Sequence, residues 1–114
     1  MIGFDEQIDN VVKSYHEDKR NKVYATEALL VASVLEEIDV EISSSQLKGV
    51  IEKFINGTMN DTEQMVYDAA TYCCSLLARM CFGKDPEDQD EEVDYEISWN
   101  IDYEENLSAE IRPM

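Results

Sequence analysis

Three thiols and one imidazole are the conspicuous reactive groups in this 114-residue chain, at Cys73, Cys74, Cys81 and His16. A zinc centre needs three or four Cys, His or carboxylate ligands converging on one point. Adjacent cysteines do not make a Cys-x-x-Cys hook, and Cys74 and Cys81 on one helix face stand about 10.5 Å apart along the axis, too far for a disulfide. Small buried apolar side chains are the expected role of all three. Their odd number fits a reducing compartment. His16 has no second histidine, no Glu-x-x-His pairing and no serine in a nucleophile elbow to work with, so it reads as a solvated helix residue and not as a general base. Glycines at positions 3, 49, 57 and 83 are too scattered to cradle a phosphate. The triplets Asn56-Gly57-Thr58, Asn60-Asp61-Thr62 and Asn106-Leu107-Ser108 match the glycosylation pattern. No secretory signal precedes them, so the matches are read as accidental.

Carboxylates are the abundant chemistry: 26 Asp and Glu against 9 Lys and Arg give a net charge of -17. Such a surface repels phosphate backbones and anionic lipid, so the expected partner is a basic protein, with no direct nucleic acid and no membrane. The charge is concentrated after position 83, where Asp85, Glu87, Asp88, Asp90, Glu91 and Glu92 surround Pro86. This run predicts an extended, self-repelling linker. It lacks the turn glycine and ligand register of a calcium loop, so neither a metal nor a cofactor is expected.

After the linker the pattern changes to period two. Val93, Tyr95, Ile97, Trp99, Ile101 and Tyr103 alternate with Asp94, Glu96, Ser98, Asn100, Asp102 and Glu104. A strand over 93–104 is predicted. Asp94, Glu96, Asp102 and Glu104 would line one face with about 6.6 Å between successive same-face residues, matching a polynucleotide in sign and linearity but only loosely in pitch. Tyr95, Trp99 and Tyr103 would line the other. That aromatic face has two expected destinations: the helices of its own chain, or a partner's sheet edge or base-stacking groove. Pairing of two copies through this strand is a further option, opposed by the acids along it.

The rest of the chain must hold this segment. Phe4, Ile8, Val11, Val12 and Tyr15 predict a first helix over about 4–19, and a stripe at Ala28, Val31, Val34, Leu35 and Ile38, with Thr26 as cap, a second. Ser43 and Gln46 have capping-box spacing ahead of Leu47, Val50, Ile51, Phe54 and Ile55, and Asn56-Gly57 ends that helix. Asn60 with Glu63 repeats the box before Met65 to Phe82, which is apolar almost all round and is expected to be the most buried element. The predicted fold is mainly α: about four helices with an acidic C-terminal extension containing one strand, for which Val40–Ile42 is the candidate partner. A helical core over 1–83, a linker over 84–92 and an acidic, aromatic segment over 93–114 form one domain. No run of about 18 apolar residues occurs, and Met1 to Glu6 lacks a charged region or a cleavable apolar core. The cytoplasm is the expected compartment.

These readings point to a non-catalytic inhibitor that competes with nucleic acid for a basic site on another protein. In size, charge and the joining of a helical body to an acidic tail, the chain is similar to phage-encoded DNA mimics that block restriction enzymes, CRISPR effectors or nucleoid proteins. That resemblance implies an anti-defence role and carries no individual residue across. The rival expectation is an antitoxin or nuclease-immunity protein that docks through Trp99, Tyr95 and Tyr103 as hot spots. A small metal-dependent or thiol enzyme is disfavoured, because no cluster of reactive groups is apparent.

Overall fold

The computed structural model describes residues 3–84 and 92–114. The chain is mainly helical, with four helices and a three-stranded antiparallel sheet. In chain order these are α1 (Phe4–Asp18), β1 (Val23–Thr26), α2 (Glu27–Ile38), α3 (Ser44–Asn56), α4 (Asp61–Phe82), β2 (Tyr95–Ile101) and β3 (Leu107–Pro113).

Local chemistry sets most boundaries. α1 stops where Lys19 turns left-handed and its N–H donates to the Tyr15 carbonyl. Val23 to Thr26 then run extended, burying Val23 and Ala25 on alternate positions. Thr26 ends that strand and caps α2, its Oγ1 accepting from Leu29 N at 3.3 Å. The face that α2 buries is Leu29, Leu30, Ser33 and Val34. The predicted stripe is therefore rotated: Ala28 faces solvent and Leu35 is 43% exposed. The rotation seats the Ser33 hydroxyl on the α4 backbone, where it donates to the Ala69 carbonyl at 2.6 Å and so enters the core satisfied.

Both predicted capping boxes form. Gln46 N donates to Ser43 Oγ at 3.1 Å and Ser43 N to Gln46 Oε1 at 2.8 Å. At α4, Glu63 N donates to Asn60 Oδ1 at 2.8 Å and Asn60 N to Glu63 Oε1 at 3.2 Å. Gly57 closes α3 at a φ of 72°, a conformation that a side chain would strain. α4 is the central element, as expected, with Ala69, Ala70, Cys73, Cys74, Leu77, Ala78 and Cys81 all buried.

The C-terminal strands depart from the expectation in three ways. The strand predicted over 93–104 spans Tyr95–Ile101, because Asp102 turns the chain back. The Asp102 carboxylate accepts from Glu104 N and Asn106 N, each at 2.9 Å, and Glu105 adopts a φ of 65°. Polar and aromatic residues happened to keep period two through this turn, which hid it. Second, the partner of β2 is β3 and not Val40–Ile42. Residues 40–42 connect the left-handed end of α2 at Asp39 to the Ser43 cap, and form no strand. Third, β3 lies between β1 and β2 and buries Leu107, Ala109 and Ile111 against the helices. Pro113 is tolerated there: it faces Tyr95 at the end of the ladder, beyond the last residue paired with β1.

The aromatic face of β2 packs on its own chain. Trp99 lies 5.8 Å from Tyr67 of α4 between ring centroids, and Tyr67 stacks on Phe54 of α3 at 4.2 Å. Among the described residues no helix is long and apolar enough to cross a membrane.

Candidate functional site

The residues singled out for partner binding are divided by the fold. Asp85, Glu87, Asp88, Asp90 and Glu91 lie outside the described residues. Glu92, Asp94, Glu96, Asp102, Tyr103 and Glu104 are exposed, whereas Tyr95 and Trp99 are half-buried. The expected straight row of four carboxylates is broken by the turn. Asp94 flanks β2 and Glu96 lies on it, while Asp102 and Glu104 belong to the reversal. Asp102 is occupied there with backbone donors, and Glu96 pairs with Arg112 Nη2 at 3.2 Å. The three aromatics likewise part company: Tyr103 stands on the hairpin tip, 93% exposed, away from the face shared by Tyr95 and Trp99.

The cations are mostly engaged. Lys13 pairs with Glu17, Arg20 with Asp18, Lys22 with Glu110, Lys48 with Glu105 and Lys53 with Glu63, while Arg112 reaches both Glu96 and Glu110. Lys53 holds the Glu63 carboxyl below the usual carboxylate range, helped by the Asn60 backbone N–H. Lys22 does the same to Glu110, aided by the Tyr24 hydroxyl, and is itself raised in return. Six carboxylates take part in these pairs. The remainder of a much larger number give the surface its character.

One acidic group was missed in the sequence. Glu36, Glu37, Asp39 and Glu41 lie in and just beyond the last turn of α2, which contains no basic residue. Carboxylates at a helix C-terminus face the negative end of the macrodipole and cost stability. The available signal was this inversion of the usual charge order. Glu37 opens onto a groove of about 480 Å³ formed with Ile38 of α2, Met65, Asp68 and Tyr72 of α4, and Tyr95 of β2. Met65 is 59% exposed and Tyr72 38% exposed. An apolar floor with carboxylates at its rim suits an apolar anchor flanked by cations.

Comparison with protein families, with curated proteins and with solved structures finds no match to this chain.

The sulfur groups offer little chemistry. Cys73, Cys74 and Cys81 are free and buried. Burial pushes the Cys81 thiol up to about 12, and Cys74 is raised by its hydrogen bond with Cys73 and then by burial. Protonated thiols are poor nucleophiles and poor ligands. His16 is exposed on α1, its Nε2 lying 3.3 Å from the Met80 carbonyl. Among the described residues no three His, Cys, Asp or Glu side chains converge as a metal site would require.

Proposed function

We propose that this protein is a non-catalytic acidic inhibitor that binds a basic, nucleic-acid-binding protein in place of DNA or RNA. The observation that carries the reading is the charge order of the surface. Cations are drawn into local pairs, while carboxylates remain exposed even at the end of α2, where they work against the helix. A surface that keeps destabilising charge is expected where that charge meets a partner. The carboxylates stand in for phosphates and use the partner's steering field, so association is fast and weakens with salt. The use proposed for that mechanism is an anti-restriction, anti-CRISPR or similar anti-defence role of phage type.

A second reading has its own support. Tyr103 on the hairpin tip is an exposed aromatic of the kind that anchors an antitoxin or nuclease-immunity protein beside a catalytic site. Capture of partners from lysate of the source cells at low salt, followed by competition with duplex DNA, separates the two. Mimicry predicts that DNA releases the captured basic protein and that a Tyr103→Ala variant still captures it. Immunity predicts that Tyr103→Ala loses the partner. Tight binding of the chain itself to DNA in metal-free buffer would overturn both.

A further inference from the structure

β2 forms one side of the sheet, and its ladder with β3 has a definite parity. The Asp94 carbonyl accepts from Met114 N, and Asp102 N donates to the Asn106 carbonyl. With the register Glu96 to Arg112, Ser98 to Glu110 and Asn100 to Ser108, the even-numbered residues exchange hydrogen bonds with β3. The backbone groups of Tyr95, Ile97, Trp99 and Ile101 therefore point outward, and no strand among the described residues pairs with them.

An edge of this kind is a template for another strand unless the sequence blocks it with proline, lysine, a bulge or shortness. The opposite edge, β1, has four residues, whereas β2 has seven and contains neither proline nor lysine. What protects β2 is negative charge: Asp94 and Asp102 just beyond its ends, and on its outer face Glu96, whose charge is shared with Arg112. That charge discriminates between occupants. Two β2 strands paired antiparallel about Ser98 would set Asp94 of one copy against Asp102 of the other, whereas a strand with alternate lysines or arginines would find a carboxylate at each end. The groove with exposed Met65 and Tyr72 adjoins the edge at Tyr95, which lines it.

We propose that an extended segment of a basic partner protein adds to the outer edge of β2 as a fourth strand. Its cations face Asp94 and Asp102, and it seats an apolar side chain in the groove floored by Met65 and Tyr72. This inference rests on the reading of a basic partner and assigns that partner a docking mode.

The test uses the full chain, labelled for amide NMR, and a synthetic nine-residue peptide alternating lysine with valine or phenylalanine. A second peptide is identical except that the backbone nitrogens of its apolar residues are methylated, which keeps the charge and removes the edge donors. In the free protein the amides of Ile97, Trp99 and Ile101 should exchange rapidly while those of Ser98 and Asn100 are protected. The unmodified peptide should slow exchange at Ile97, Trp99 and Ile101 at least tenfold and shift the Met65 methyl resonance. The methylated peptide should bind at least tenfold more weakly. Equal binding of both peptides without odd-residue protection would overturn strand addition and leave the charge reading standing. Edge protection without a Met65 shift would overturn the groove contact. Absence of binding by either peptide at low salt would overturn both the docking mode and the charge reading beneath it. Concentration-dependent protection without peptide, with a dimer in sedimentation, would give the edge to a second copy and overturn the proposal.

Discussion

Arg79 occupies the last turn of α4 with its Nε buried and without a hydrogen-bond partner. An unsatisfied buried donor costs about 1–3 kcal/mol, whereas an unbranched apolar side chain fills the same space at little penalty. Arg79→Met is therefore expected to leave the melting temperature unchanged or to raise it. A fall of several degrees in a thermal scan would show that the guanidinium makes contacts that matter. Leu77 is the opposite case, a wholly buried member of the hydrophobic core. Leu77→Ala removes packed methyl groups and leaves a cavity, so a loss of about 2–5 kcal/mol in denaturant unfolding is expected. A midpoint equal to that of the parent chain would contradict the placement of α4 at the centre.

Among the elements, α2 carries the clearest tension between stability and use. Its final turn places Glu36 and Glu37 at the negative end of the helix, and Asp39 takes a left-handed φ of 53° as the cap. Glu36→Lys, a change outside the groove, is expected to stabilise the fold by about 0.3–1 kcal/mol and to slow association with a basic partner. Denaturant unfolding and stopped-flow binding check the two halves. The same element marks where sequence reading ran short. Its cap was legible from Thr26, as were the boxes at Ser43 with Gln46 and Asn60 with Glu63, because each depends on residues three positions apart. Which face α2 buries depended on Ser33 meeting the Ala69 carbonyl of a distant helix. β1 escaped notice because four residues running directly into a helix give no period to detect. β3 is hard to detect because its apolar alternation is confined to Leu107, Ala109 and Ile111 and period two runs unbroken from β2 through the turn at Asp102. The acidic character of the site was plain from composition. Its groove was not, since α2, α4 and β2 each contribute only part of the wall.

For the molecule as a whole, pH and salt act through identifiable groups. Glu63 and Glu110 have depressed carboxyl values, so the stability they contribute is present above the ordinary value of 4.5 and is lost as pH falls through their lowered ones. Lys22 is raised, so its contribution is present below 10.5 and is lost as pH rises through the higher value. At pH 7 the net charge of -17 opposes compaction. Thermal stability is expected to fall as pH drops below about 4.5, where the contributions of Glu63 and Glu110 are lost. At pH 7 it should rise as salt approaches about 0.15 M, where the screening length is about 8 Å. A melting temperature that falls steadily with added salt at pH 7 would mean that local pairs outweigh the general repulsion.

The position of β3 between β1 and β2 also bears on the order in which the protein can be made. Val23 waits for Ile111, so all four helices are synthesised before the sheet has its middle strand. Until then β1 and β2 have no common neighbour, and the apolar face of α4 that Leu107, Ala109 and Ile111 later cover is open to water. Closure of the sheet is consequently a long-range event of the slow kind. During that interval the dense negative charge has a second use: it keeps neighbouring nascent chains apart while their strand edges are still bare.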